Sequence, residues 1–331
     1  MDARRVALVM AFAVGVVAPL LTRWLAEDTL LTTLCIGLPP RLWWCVALAT
    51  AALLGVARRG PRFARITLAV SPLIAVAVLT STGSSSSFDS AVRGPRVASW
   101  NLAKGTLGDR AQLVAGLRAL DADVVCVSEA GRYDWLPAFD VEGIAHDLGV
   151  AVVGSGEVRA LVRLPLRAHR EIPLTPGPAR RPLVLVDVEK EGRTWRVGCV
   201  HLMPRLLNDT ASIDLGDARN GSWSAIAQAA RTQGRTLLQV VRAAREAGQP
   251  VDAIAGDWNN QPYGRVVGDV VDSGYVDVFA TSDRPTFGQG LRAMRIDQVL
   301  VQAAHGVRSA TVVDPGGSDH AALVVEFGAP H

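Results

Sequence analysis

Asp257 and Asn259 stand two residues apart, just after an apolar run from Val251 to Ala255 and the turn residue Gly256. In an extended backbone that spacing sends both side chains to one face. A carboxylate beside an amide is a hard-oxygen pair, able to grip a divalent cation or to hold a water against phosphorus. The competing reading is a turn in which Asp and Asn cap their own backbone. Company decides between them. Other apolar segments also carry, at or near one end, a residue costly to bury: Asn101, Glu129, His201, Asp297, and Asp319 with His320. Each alone reads as a rim or satisfied core residue. Unpaired burial of such groups costs several kcal/mol, so together they require one another or a cation. Carboxylates, amides and imidazoles in this mixture are the inventory of metal-assisted phosphoester hydrolysis.

Alternation predicts strands at 95–101, 123–129, 150–154, 158–164, 182–188, 194–202, 251–255, 295–301 and 320–327. Apolar stripes at helical spacing predict helices over 109–120 and 223–247, with a short apolar segment at 266–271. Residues 203–222, rich in Asn, Asp, Gly and Ser, read as a loop over the site. Two sheets packed face to face, with helices outside, would bring the polar strand ends together.

Cys126 and Cys199 belong to this region, Cys35 and Cys45 to the N-terminal part. Cys126 lies three residues before Glu129, and Cys199 two before His201. If Glu129 and His201 face one site, alternation turns the two sulfurs to opposite sides. Two buried free thiols are therefore expected.

Charge and hydropathy divide the chain near residue 83. Residues 1–83 hold eight Arg against Asp2, Glu27 and Asp28, a net of +5, leaving 26 basic and 28 acidic residues afterwards, a net of −2. The later part therefore lacks a surface that steers long polyanions. Val6–Thr22, Leu42–Ala57 and Ile66–Thr80 are apolar stretches that their flanks extend to spanning length. A buried helical hairpin, or a cleavable signal peptide for the first stretch, competes with this reading. Three spans in eighty residues favour a multi-pass anchor. None has an ionisable residue at mid-span, which counts against a transporter. Arg4 and Arg5 before the first span, and Arg58, Arg59, Arg62 and Arg65 between the second and third, place the N-terminus in the cytoplasm. Three spans then deliver the rest outside. The expected organisation is a membrane anchor over 1–80, a flexible Ser/Gly linker over 81–94, and a catalytic domain over 95–331.

Trp100-Asn101, Glu129 after an apolar strand, Val200-His201-Leu202, Gly256-Asp257-Trp258-Asn259, Ile296-Asp297-Gln298 and Ser318-Asp319-His320 occur in that order. This set resembles the endonuclease/exonuclease/phosphatase superfamily, which includes pancreatic deoxyribonuclease, apurinic endonucleases, inositol-polyphosphate phosphatases and neutral sphingomyelinases. The resemblance runs from about Arg96 to the C-terminus. It implies an α/β (α+β) fold: a four-layer sandwich of two mixed β-sheets flanked by helices, here preceded by three transmembrane helices. It further implies Glu129 as the principal Mg²⁺ ligand, with Asn101 and Asp319 close to the metal and Mn²⁺ as a substitute. Asp257 would orient or deprotonate the attacking water, and Asn259 would fix that water and its phosphate. His320 would contact the scissile phosphate, held in its tautomer by Asp297. His201 would stabilise charge on the phosphoryl oxygens or leaving group. Ser128 and Gln298 depart from the family's usual Gln and aromatic or His, which bears on substrate more than on chemistry.

The expected function is a membrane-anchored, Mg²⁺-dependent hydrolase of a phosphodiester, nuclease-like. The alternatives are a lipid or small-molecule phosphodiesterase or phosphatase of the same fold, and an inactive binding or sensor domain. The partners implied are a phosphoester substrate (nucleic acid, phospholipid or small phosphodiester) and the membrane, and nothing points to a protein partner. Arg159, Arg163, Arg167, Arg170, Arg180 and Arg181 read either as an anion cradle or as solvated edge-strand cations.

Overall fold

The computed structural model describes residues 93–131, 140–175, 181–204, 223–282, 284–289 and 293–330. The expected spans, nearly all of the linker and all but the start of the 203–222 loop lie outside these. Among the described residues no helix is long and apolar enough to cross a membrane.

The strands, in chain order, are β1 (Arg93–Asn101), β2 (Val124–Ser128), β3 (Ala151–Val153), β4 (Val158–Val162), β5 (Leu166–Ile172), β6 (Leu183–Lys190), β7 (Arg193–His201), β8 (Ala253–Asp257), β9 (Tyr275–Asp277), β10 (Asp297–Gln302), β11 (His305–Val313) and β12 (Ala322–Pro330). The helices are α1 (Arg110–Leu120), α2 (Val141–Leu148), α3 (Trp223–Glu246) and α4 (Arg265–Asp272). One six-stranded sheet runs β11-β12-β1-β2-β4-β3, the other β5-β6-β7-β8-β10-β9. β1 pairs parallel with β2, and β7 with β8, while antiparallel ladders complete both sheets.

Period-two alternation sorts the apolar side chains into layers. Val97, Cys126, Val186, Val197, Cys199 and Val299 pack between the sheets. Trp100, Val125 and Val324 on the first sheet's other face meet Leu113 and Leu117 of α1 and Ile144 of α2. Val200, Ile254 and Leu300 on the second sheet meet Leu237 and Val241 of α3 and Val267 of α4. Three apolar interfaces make four layers. α1 starts where it does because Asp109 and Gln112 form a reciprocal capping box, and it stops at Asp121, which adopts a left-handed C-cap. β5, β9 and β11 are not predicted from sequence. Each is a sheet edge, and five of the seven β5 residues are exposed, so the buried alternation that marks a strand is missing.

Cys126 and Cys199 form a disulfide with Cα atoms 5.1 Å apart, which overturns the expectation of two free thiols. The parity argument fails at Glu129. β2 ends at Ser128, and Glu129 has φ of 53°, so its side chain does not continue the alternation counted from Cys126. Both sulfurs lie on the inner faces of their sheets. Gly256 is required by close approach: its φ is 153°, and a Cβ there would sit 1.9 Å from the Val200 carbonyl oxygen of β7.

Candidate active site

The C-terminal ends of the two parallel strand pairs meet at one edge of the sandwich. Asn101 is level with Ser128 in the first sheet. In the second, Asp257 is level with His201 on one side and Asp297 on the other. Asn101 Nδ2 donates to Asp257 Oδ2 at 2.9 Å, joining the sheets across the gap. The second Asp257 oxygen accepts the Asn259 backbone N–H at 2.8 Å, which curls the chain so that Asn259 has φ of 45°. The Asn259 side-chain amide donates to the Leu202 carbonyl at 2.9 Å.

The segment before β12 is fastened to β1. Trp100 Nε1 donates to the His320 carbonyl (3.0 Å) and Ser318 Oγ to the Asn101 carbonyl (2.6 Å). So held, His320 Nδ1 reaches Asp297 Oδ2 at 2.9 Å, and Phe287 lies against the ring with centroids 4.8 Å apart. Thr286 Oγ accepts the Ile296 and Asp297 N–H groups, each at 3.2 Å. Gln298, the departure beside Asp297, is fully buried. It accepts from Arg295 at 2.7 Å and donates to the Asn260 carbonyl at 3.0 Å, so it fixes two loops of the site.

Burial and proximity perturb two groups strongly. Burial, then the Asp297 charge, raises the Asp257 carboxyl, against the opposing pull of His320, His201 and the Asn259 N–H. Burial alone would lower His320. The Asp297 charge and hydrogen bond, with Asp257 and Asp319, outweigh it and lift the imidazole to about 9. Donor atoms of Asp257, Asp297 and His320 lie within 4.8 Å of one another, and Asp297 Oδ1 is buried with no hydrogen-bond partner. By donor type these three could hold a cation. Without a metal, the proton that Asp297 favours on His320 offsets part of the charge of the two carboxylates. Glu129 is half-buried, beside Ser128 in the strand-end row, and its carboxylate offers hard oxygens of the kind a partly hydrated divalent cation takes. Asp319 is exposed in the turn before His320. The Asn101 Oδ1 accepts the Ala103 N–H at 2.9 Å.

Sequence reasoning missed Glu157. It precedes β4 in a polar Gly-Glu-Val-Arg stretch, whose only signal was a carboxylate next to a buried strand. In the fold it is buried, with Oε2 3.1 Å from His201 Nδ1 and 2.9 Å from Arg181 Nε. Arg181 Nη1 also reaches His201 Nε2 (3.2 Å) and donates to the Leu202 carbonyl (2.8 Å). A guanidinium only donates, so Nε2 accepts and the ring proton sits on Nδ1, toward Glu157. His201 Nε2 lies 3.7 Å from Asp257, which links this trio to the rest. Of the six arginines considered as an anion cradle, Arg180 is outside the described residues. Arg163 and Arg167 instead pair with Asp121 and Glu189 at the surface, and Arg159 contacts the Gly156 carbonyl. Ala103, Lys104, Glu129 and Asn259 have positive φ at this edge. The remaining non-glycine cases, Asp121 and Glu191, sit in an ordinary helix cap and hairpin turn. Backbone strain of this kind gathers at functional sites.

Residues 98–320 match the model of the Endonuclease/Exonuclease/phosphatase family. The match spans more than half of the chain, which therefore belongs to this family of metal-dependent phosphoester hydrolases. Among solved structures the chain is similar to an endonuclease/exonuclease/phosphatase from Beutenbergia cavernae DSM 12333 (TM-score 0.55, 19% identity, covering 72% of each chain). It is similar also to the human Nocturnin catalytic domain with bound sulfate (TM-score 0.52, 20% identity, covering 72% of this chain and 95% of that one). A third is a Bacteroides thetaiotaomicron mannosyl-6-phosphatase (TM-score 0.52, 15% identity, covering 71% of this chain and 100% of that one). At such identities the likeness shows the fold. No curated protein matches the sequence.

Proposed function

We propose that the chain is a membrane-anchored hydrolase of a phosphodiester, with its catalytic domain (95–331) outside the cytoplasm and metal-assisted attack of water as its chemistry. The Asn101–Asp257 hydrogen bond carries this reading, because it draws the polar ends of two sheets into a single site. Glu129, with Asn101 and Asp319, is the set assigned to Mg²⁺ or Mn²⁺. When bound, that cation polarises a phosphoryl oxygen and offsets the charge that develops on it. Asp257, whose raised carboxyl is a better base than an exposed one, orients or deprotonates the attacking water, with Asn259 alongside. His320 presents a charged Nε2–H to a non-bridging oxygen while Asp297 holds its Nδ1. His201, both of whose ring nitrogens are taken up by Glu157 and Arg181, stabilises the phosphoryl oxygens or the leaving group through that buried trio rather than by a free N–H.

The inter-sheet disulfide supports the outward topology, since such bonds persist in oxidising compartments. Substrate choice follows from where the linker joins. β1 begins at Arg93 and ends at Asn101, and strand geometry then places the catalytic edge roughly 30 Å from the linker. That favours a substrate arriving from bulk solution, nucleic acid or a small phosphodiester, over a headgroup in the bilayer beneath.

Release of nitrophenol from bis-p-nitrophenyl phosphate tests the chemistry: the wild type active with Mg²⁺ and silent in chelator, Asp257→Ala and His320→Ala inactive. Variants as active as the wild type would remove the site assignment and leave a binding or sensor domain. Protease added to intact cells tests the topology, and protection of the domain until lysis would invert it.

A further inference from the structure

Glu129 has a cation beside it that belongs to the chain itself. Lys104 Nζ lies 3.7 Å from Glu129 Oε2, with side chains only 14% and 23% exposed. Backbone holds the lysine there. Ala103, Lys104 and Gly105 have φ of 47°, 58° and 65°, three consecutive left-handed residues of which only glycine adopts the region freely. The turn is fixed by Ala103 N–H to Asn101 Oδ1 (2.9 Å), Leu102 N–H to the Ser128 carbonyl (3.0 Å) and Gly105 N–H to the Leu102 carbonyl (2.9 Å). The Asn101 side chain that holds the turn is the one that bridges to Asp257. A backbone kept against its own preference, and wired to the site, is explained by what it presents. Here that is an ammonium on the carboxylate assigned to Mg²⁺.

An ammonium and a divalent cation on one carboxylate repel each other. We propose that Lys104 neutralises Glu129 in the metal-free protein and, once a divalent cation takes Glu129, turns to bind a non-bridging oxygen of the substrate's phosphoryl group. The proposal rests on the assignment of Glu129 as the Mg²⁺ ligand. Lysine suits the exchange because its compact charge rides on a flexible four-carbon stem and needs no planar fork of acceptors. Coupling of this kind is reciprocal. Lys104 weakens Mg²⁺ binding to the free protein, and phosphate, by occupying the ammonium, strengthens it.

Calorimetric titration of Mg²⁺ into the full-length chain, with and without inorganic phosphate, tests this on the wild type, Lys104→Met, Lys104→Arg and Glu129→Gln. Without phosphate, Lys104→Met should bind Mg²⁺ about 5-fold to 10-fold tighter than the wild type, the lower range of such couplings, and should lose most of the enhancement by phosphate. Lys104→Arg, which keeps the charge, should bind Mg²⁺ like the wild type. With the aryl phosphate, Lys104→Met should raise KM about 10-fold and leave kcat within about twofold, the pattern of lost uniform binding. Unchanged Mg²⁺ affinity and KM in Lys104→Met, with Glu129→Gln failing to bind, would overturn the proposal and leave the metal assignment standing. Glu129→Gln binding Mg²⁺ as tightly as the wild type would remove the assignment and the proposal together.

Discussion

Two buried histidine–aspartate pairs sit at opposite ends of the same strands. β8 runs from beside Asp252 to Asp257, and β10 from Asp297 to Gln302, just before His305. At one end His320 Nδ1 meets Asp297 Oδ2 at 2.9 Å, and at the other His305 Nε2 meets Asp252 Oδ1 at 2.6 Å. By residue type they are alike, but their surroundings are not. Asp252 also accepts from Arg193 (3.2 Å) and from the Arg196 backbone N–H (2.6 Å). Arg193 lies over Trp195 at 4.0 Å, and the His305 ring packs against Trp195 and Phe327 at 5.3 and 6.4 Å. That carboxylate has partners on both oxygens. Asp297 has one oxygen with no hydrogen-bond partner, and a second carboxylate, Asp257, is buried level with it on the neighbouring strand. A carboxylate with both oxygens taken holds a fold together, even though the Nδ1 of its partner His305 is buried without a hydrogen bond, whereas one with an open oxygen keeps a place for a group that comes and goes.

Removing each carboxylate should therefore fail in different ways. Asp297→Asn should lower kcat/KM by about 10²-fold to 10⁴-fold, the range for a positioned proton-handling group, and below about pH 9 should also forfeit the stability that the charged His320–Asp297 pair contributes. Asp252→Ala should cost about 3–5 kcal/mol of stability, the usual result of breaking a buried pair, and leave kcat of the folded fraction within about twofold. Denaturant titration beside steady-state kinetics on both variants separates the two. A stable Asp252→Ala protein with a collapsed kcat would erase the distinction.

The Cys126–Cys199 bridge lies between the ends, two residues before Ser128 and two before His201. Its sequence separation of 73 closes a long loop. The double Cys126→Ala, Cys199→Ala variant should lose about 2–5 kcal/mol. For a domain of this size that is roughly 2–4 °C in Tm per kcal/mol. If kcat measured well below that Tm is unchanged, the bridge belongs with the structural end. A fall in kcat with the fold intact would assign it to the positioning of His201 as well.

The convergence of the His320 end was legible in the sequence because its members are polar residues at the ends of apolar runs, where burial makes them conspicuous. Asn101, His201, Asp257, Asp297 and His320 all arise that way and gather at one edge. Glu157 was obscured by polar neighbours, and its pairing with Arg181 depends on two loops meeting in space. His305 pairs with a carboxylate 53 residues away, which no local pattern announces. Edge strands β5, β9 and β11 have too little buried alternation to announce themselves. The disulfide was hidden by one residue: a single positive φ at Glu129 reverses a parity argument that would otherwise hold.

A further expected effect is a pH dependence of stability that the His320–Asp297 pair carries. His320 is lifted from 6.5 to about 9 in the folded state. Folding thus favours the protonated ring, and the gain is fully present below the unfolded value of 6.5. It declines as pH rises between the two values and is gone above about 9. In chelator, so that no cation competes for the carboxylates, the Tm of the wild type should exceed that of His320→Gln by its widest margin near pH 6. The margin should close as pH passes about 9. A margin that stays constant across this range would mean that the ring folds neutral. Asp297 would then hold a neutral imidazole rather than a cation, and His320 would lose its charge-stabilising role toward phosphate.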